Sequence, residues 1–402
     1  MIKVRGRVSE ALIYTDVVED EAIKQIERLC DREFTQGSRI RIMPDVHVGA
    51  GCTIGFTMTI QDKVVPNLVG VDIGCGMETI ELSDKRIELQ KLDKLIYEKI
   101  PFGTDIRKKE HPLVEEVALD ELRCKDKRGI NLHRARLSLG TLGGGNHFIE
   151  VGRDDEGRLF VTIHSGSRNI GLQVANYYQD LAYRRLNKNS PEDVRERIEE
   201  LKREGRHRDI EEELIRMKSK SRSDIPKDLA YLEGKDMEDY LHDMKIIQEF
   251  ARQNRMAMMD ELIRGMKFKV CDRFTTIHNY IDTEHKILRK GAVSAQKGER
   301  ILIPINMRDG SLVCIGRGNE EWNFSAPHGA GRLKSRKQAK ESFTLSEFKK
   351  QMEGIYTTSV SKDTLDECPM AYKPMESILE NIEATAEVVK RIVPIYNFKA
   401  QE

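Results

Sequence analysis

No apolar run in the 402-residue chain approaches the roughly 18–20 residues of a membrane span. The opening "MIKVRGRVSEALIYTD" lacks the charged-then-apolar pattern of a leader, so the expectation is a cytoplasmic protein with no membrane partner. Charge of one sign is missing too: 67 basic residues meet 67 acidic ones. That balance excludes a global basic field holding nucleic acid unspecifically, so any anion site must be local. The seven cysteines show no paired spacing, which argues against a disulfide framework and against paired Cys-x-x-Cys zinc motifs. A special cysteine is then catalytic or a metal ligand. Internal repeats and low-complexity tracts are also missing.

The length exceeds the roughly 250–300 residues at which single cores stop growing, which predicts two domains or one large domain with insertions. Residues 1–60 mix β-branched runs with one helical segment, "DEAIKQIERLC", where Ile23, Ile26 and Cys30 share a face. Strand-like runs follow: "CTIGFTMTI", "VVPNLVGVDIGCGMETIEL", "RLFVTIHSGSRNIG" and "RILIPINMRDGSLVCIG". Their loops carry the unusual residues.

From about 175 to 265 the sequence turns charged and helical in period. Ser190-Pro191-Glu192-Asp193 predicts a helix start, with a capping hydroxyl, a first-turn proline and acids at the positive end of the dipole. Val194, Ile198 and Leu201 then share one face, and Met237, Leu241, Met244, Ile247 and Ala251 share a second. The cations of "LKREGRHRD" and "IRMKSKSRSD" read as solvated helix faces. "MESILENIEATAEVVKRIV" predicts one more amphipathic helix before a final strand, "PIYNFKA".

Histidine is scarce, at ten residues, yet several stand in loops beside other reactive groups. "VGVDIGCGM" offers Asp72 and Cys75, "GGGNHFIE" offers Asn146, His147 and Glu150, "IHSGSRNIG" offers His164 and "IHNY" offers His278. Each alone is weak. Together, four loops at the ends of strand-like runs supply one acid, one thiolate and three imidazoles, enough for two divalent ions if the thiolate bridges. Carboxylate and imidazole suit manganese, while sulfur leans toward zinc or iron, so the donors leave the metal open.

The stretch "APHGAGR", at 326–332, sets one histidine among the smallest residues, with "LKSRKQAK" just downstream. Small neighbours admit a bulky anion to the ring and backbone, and the following cations suggest a phosphate.

These segments resemble the motif series of the RtcB family of RNA ligases, in the family's order. The motifs are "MPDVHVGAG" (43–51), "PNLVGVDIGCGM" (66–77), "GGGNHFIE" (143–150), "HSGSR" (164–168), "RKGAVSA" (289–295) and "HGAGR" (328–332). "YLHDM", "NRMAMM" and "DECPMAYK" extend the resemblance. It implies an α+β fold, with β-sheets around a central metal-containing cleft. It also implies one catalytic domain over 1–402, with a charged helical insertion at 175–265.

The implied activity joins an RNA 3′-phosphate or 2′,3′-cyclic phosphate end to a 5′-hydroxyl end, in tRNA splicing or RNA repair. GTP and two Mn2+ ions are the implied cofactors, and an archease-type activator is an implied partner. By motif, Asp72, Cys75, His147, His164 and His278 would hold the metals, with Cys75 bridging, and His328 would become guanylylated. Asn146, Glu150, Tyr372 and Lys399 would contact the nucleotide, and Arg134, Arg168, Arg332 and Arg336 the RNA phosphates.

One segment departs from the family pattern, which reads roughly Pro-Gly-Ser-Met-Gly-Thr. Here it is Pro304-Ile305-Asn306-Met307-Arg308-Asp309-Gly310-Ser311, leaving Asn306 and Ser311 as the residues able to hydrogen-bond GTP. Two readings compete with the ligase. A dinuclear metal-dependent RNA-end phosphohydrolase would need no guanylylated histidine, and a non-catalytic RNA-end binder would need neither histidine nor metals.

Overall fold

The computed structural model describes residues 1–187, 191–219 and 224–400. Its architecture is mixed α+β, built on two sheets. One has six strands, in the spatial order Ile2–Arg5, Glu10–Ile13, Ile40–His47, Ile54–Thr59, Ile287–Lys290 and Asn279–Asp282. The other has seven, all paired antiparallel: Val270–Ile277, Gly76–Leu82, Leu159–Ser165, Phe148–Arg153, Ala386–Lys399, Gly310–Gly316 and Arg300–Asn306.

Register explains why distant motifs meet. In the seven-stranded sheet Met77 and Phe148 both pair with His164, and Gly76 pairs with Ser165 on one side and Ile277 on the other. Four neighbouring strands therefore end together, and Cys75, His147, His164 and His278 stand at that shared end. The fifth candidate ligand, Asp72, lies in the loop entering Gly76–Leu82, packed so tightly that a Cβ on Gly166 would sit 2.2 Å from its Oδ1. Glycine is required there by space alone.

Helices cover the sheets. Asp20–Cys30 buries Ile26 and Cys30, with Ile23 packed beside them. The long helix Gly234–Met266 buries Met244, Ile247 and Ala251, while Met237 and Leu241 pack at the edge of the core, so the expected face is the inward one. Pro191–Arg203 is helical as expected and buries Leu201; its Ser190 cap lies outside the described residues. Arg197 pairs with Glu200, and Arg206 with Glu204 and Asp209, consistent with a solvated mixed-charge face. No helix among the described residues is long and apolar enough to cross a membrane.

The carboxyl-terminal expectation needs correction. Met375–Ile382 is helical, but Ala386–Lys399 is one continuous strand, so 386–393 is not helix. Val388, Val389, Ile392 and Val393 supply β-branched side chains, and this strand alone joins Gly310–Gly316 to Phe148–Arg153. Tertiary pairing overrides the helical period. Phe398 anchors the strand, edge-on to Tyr97 and Phe102 at 5.2 and 5.3 Å, and burying such a ring contributes about 1.5–3 kcal/mol. Asn397 and Lys399 are thereby fixed on either side of it.

Candidate active site and metal centre

Cys75 Sγ lies 3.5 Å from His147 Nε2 and 3.2 Å from His164 Nε2, and all three donors are buried. His147 Nε2 is also 3.0 Å from Asp72 Oδ2, and His164 Nε2 is 3.4 Å from His278 Nε2. The other ring nitrogens set the tautomers. His147 Nδ1 donates to the Leu142 carbonyl at 2.9 Å and His164 Nδ1 to the Asn146 carbonyl at 3.2 Å, so each turns an Nε2 lone pair toward the sulfur. Burial holds His164 and His278 well below the ordinary imidazole pKa, keeping them in the neutral form that binds metal.

This donor set fits divalent cations. A sulfur, imidazoles and a carboxylate converge; burial and the Asp72 charge push the Cys75 thiol well up, so a cation would have to displace its proton, and His278 Nδ1 has no hydrogen-bond partner among the described residues. Cys75 stands between the Asp72–His147 pair and the His164–His278 pair.

His328 follows the short strand Ser325–Pro327, which pairs with Ala292–Ser294 directly after the "RKG" turn. Its ring centroid is 4.8 Å from that of His278. Its Nδ1 donates to Asp45 Oδ2 at 2.6 Å, and the same oxygen accepts the backbone N–H groups of His328 (3.0 Å) and Gly329 (3.2 Å). Asp45 is fully buried, so the carboxylate fixes the ring and leaves Nε2 with the lone pair. Lys373 holds Asp45 in turn, donating to the carbonyls of Val17, Pro44 and Val46.

His328 opens onto a cavity of about 220 Å³, also lined by His47, Asn146, Glu150, Asn306, Arg332, Arg336, Tyr372 and Lys399. Two buried acids set its electrostatics. Glu150 is pushed up to about 8 by burial, partly offset by the Asn397 amide at 2.9 Å and the Lys399 charge. Glu367 is held at about 2 despite burial, because the Lys399, Arg336 and Arg332 charges surround it. Tyr372 donates to Glu367 at 2.6 Å, Arg332 and Arg336 reach it at 3.2 and 3.0 Å, and Lys399 contacts it directly.

Arg134 and Arg168 lie elsewhere, on a second cavity of about 340 Å³ that includes Asp72, Thr104 and Asn169. The donor cluster sits between the two cavities, with His164 facing the first and Asp72 the second. Ser311 does not join them: it is buried in its strand opposite Pro304, and its hydroxyl has no partner among the described residues. Asn306 lines the first cavity but is tied into its own hairpin, accepting from the Arg308 and Asp309 N–H groups and donating to Asp309.

Asp45, His47, Glu367, Lys373 and Asn397 had no role in the sequence reading. Asp45 carried a usable signal, an acid inside the apolar run "RIMPDVHV". The remaining four did not.

The family described as tRNA-splicing ligase RtcB matches residues 25–400. The RNA-splicing ligase RtcB of Escherichia coli K12 is 31% identical to this chain over 92% of each protein. The tRNA-splicing ligases RtcB of Aeropyrum pernix and Thermococcus kodakarensis are each 25% identical, over 96% and 98% of this chain and 94% of their own length. Motif order, site geometry and near full-length similarity agree, and this chain belongs to the RtcB family.

Proposed function

We propose that the protein is a GTP-dependent RNA ligase that joins 3′-phosphate or 2′,3′-cyclic phosphate ends to 5′-hydroxyl ends through a guanylylated His328, in tRNA splicing or RNA repair. The RNA ligase activity follows the family; the chemistry through His328 rests on its pairing with Asp45 and on its ring lying 4.8 Å, centroid to centroid, from that of His278. The catalytic unit is the whole chain, with 175–265 as its helical insertion.

In the first step His328 Nε2 attacks the α-phosphorus of GTP and pyrophosphate leaves. The ring becomes cationic as the N–P bond forms, and the Asp45 carboxylate on Nδ1 balances that charge. GMP then passes to the RNA 3′-phosphate, freeing His328 and making GMP a leaving group. The 5′-hydroxyl attacks that phosphorus and GMP departs. A cyclic end is first opened by water to the 3′-phosphate.

Asp72, Cys75, His147, His164 and His278 would hold the divalent cations, two Mn2+ in this reading, which supply charge neutralisation and alignment at the reacting phosphates when bound. Arg134 and Arg168 would grip RNA at the second cavity. Arg332 and Arg336 would meet phosphates at the first. Glu150, Asn146 and Asn306 would read the base, with Tyr372 packing beside it and Lys399 reaching it; Ser311 would support that wall from within its strand. An archease-type activator and a cytoplasmic location belong to the same reading.

The deciding experiment incubates purified protein with Mn2+ and GTP labelled at the α-phosphate. The expected result is acid-labile, alkali-stable label on the polypeptide, and RNA with cyclic-phosphate and 5′-hydroxyl ends becomes joined. Ring opening with no label and no joined product would leave the phosphohydrolase instead.

Base recognition carries its own pH signature. A carboxylate can accept from guanine N1–H and the 2-amino group, whereas a protonated carboxyl must first lose its proton. With Glu150 at about 8, the competent form is a minority at pH 7. GMP affinity, read by calorimetry, is expected to rise about tenfold from pH 7 to pH 9 with proton release on binding. In Glu150→Gln that rise should disappear; an unchanged slope would remove Glu150 from the base site.

A further inference from the structure

The long helix Gly234–Met266 lies outside both cavities' ligand sets, yet Asn254 and Arg255, its two fully buried polar neighbours, touch every segment that carries a candidate ligand from the seven-stranded sheet except His278. Arg255 NH1 donates to the Gly74 carbonyl at 2.8 Å and the Ser165 carbonyl at 3.1 Å, and those residues adjoin Cys75 and His164. Asn254 Oδ1 accepts the N–H groups of Gly140 and Thr141 at 2.7 and 3.0 Å, while its amide donates to Ser165 Oγ at 3.1 Å and the Gly166 carbonyl at 3.0 Å. Ser165 Oγ passes the connection on to the Leu142 carbonyl, the acceptor that sets the His147 tautomer.

The helix also presses on the ligand loop directly. Gly74 has φ +71°, and a Cβ there would lie 2.9 Å from Gln248 Cα and 3.1 Å from Ala251 Cβ, so the loop carrying Asp72 and Cys75 is seated on the helix backbone. Arg255 brings a fixed cation beneath that loop, and the acidic groups acting on it are Glu78, Cys75 and Asp72. Among the described residues no carboxylate is bonded to it, and its Nε and NH2 have no partner. Burying a guanidinium this way is costly, and a structural helix contact alone would not require one.

We propose that Asn254 and Arg255 are positioning residues of the metal centre: together they lock the Cys75, His147 and His164 segments into one register and place a permanent positive charge behind the thiolate. This rests on the metal reading above. Ligand spacing is thus set from the side of the sheet away from substrate, by a helix that touches none of it. Such outer partners of metal ligands typically change metal affinity by about 10–100-fold when removed.

The test uses full-length, chelator-treated protein titrated with Co2+, whose thiolate bond gives a charge-transfer absorption band. Wild type should show the band and Cys75→Ser should lack it; a wild type without it would sink the metal reading itself. Arg255→Met is expected to bind Co2+ at least about tenfold more weakly, with Arg255→Lys between it and wild type. Tyr178→Phe is the stability control, because it removes a buried 2.7 Å hydrogen bond to Asp243 on the same helix without touching a ligand segment. Wild-type Co2+ affinity in Arg255→Met, or equal weakening in Tyr178→Phe, overturns the proposal. Should Arg255→Met fail to fold, Asn254→Asp decides the matter: it keeps the acceptor for Gly140 and Thr141 but loses both amide donors, and must weaken Co2+ binding beyond the control.

Discussion

Asp45→Asn is expected to slow formation of the guanylyl adduct on His328 by about a thousandfold or more, while GTP still binds and the protein still folds. The same carboxylate oxygen receives the ring N–H and two backbone N–H groups, and an asparagine oxygen can keep those contacts. What asparagine cannot supply is negative charge. As Nε2 bonds to phosphorus the half-buried imidazole turns cationic against a fully buried carboxylate, where an uncompensated charge is expensive. An asparagine that turns its NH2 toward Nδ1 would also favour the tautomer with the proton on Nε2, which cannot attack. In serine proteases the corresponding change costs about 10⁴ in kcat through that tautomer error. His328→Ala should give no adduct at all. Quench-flow labelling of Asp45→Asn at near wild-type speed would mean that the pair is structural and that the nucleophile lies elsewhere.

That aspartate also shows where the sequence stops being readable. His328 stood out because its neighbours are small, and the five candidate ligands because cysteine, histidine and aspartate ended strand-like runs. Those are local signals, and the antiparallel register brings their owners together. The partner of His328 comes from 283 residues away, in a different sheet, and nothing near either residue announces the pairing. Lys373 is similar: its three carbonyl acceptors come from two separate segments, so its role exists only in the fold. The first part of the last strand, 386–393, was misread as helix for a related reason, while "PIYNFKA" was read correctly as strand. A run with charges at helical spacing can serve either period, and an open edge on each neighbouring strand decided the matter. Conversely, the altered segment 304–311 proves to be a self-tied hairpin, with Arg308 bonded to Asp309 and Gln351. Its added charges are spent on each other at the cavity rim, while Ile305 packs inward.

Glu367→Gln should be the most destabilising single change behind the wall of the first cavity. The carboxylate is buried and faces Lys399, Arg332 and Arg336, so neutralising it leaves several cations with no charge partner at that point, a defect that typically costs about 3–5 kcal/mol. Arg336 is the least affected, since Asp366 also holds it at 2.7 Å. The pH dependence follows from the direction of the shift. Glu367 sits at about 2 in the folded protein against an ordinary 4.5, so its contribution is complete above 4.5 and is lost as pH falls toward 2. That difference corresponds to roughly 3 kcal/mol. Denaturant midpoints of wild type and Glu367→Gln should therefore be far apart at pH 7 and begin to converge below pH 4.5. The double variant Glu367→Gln/Lys399→Met should recover part of the loss, because it removes the most deeply buried of the orphaned cations together with the acid. Equal stability of Glu367→Gln and wild type at pH 7 would show that the arginines and lysine find other partners. The cavity wall would then be held by packing rather than by charge.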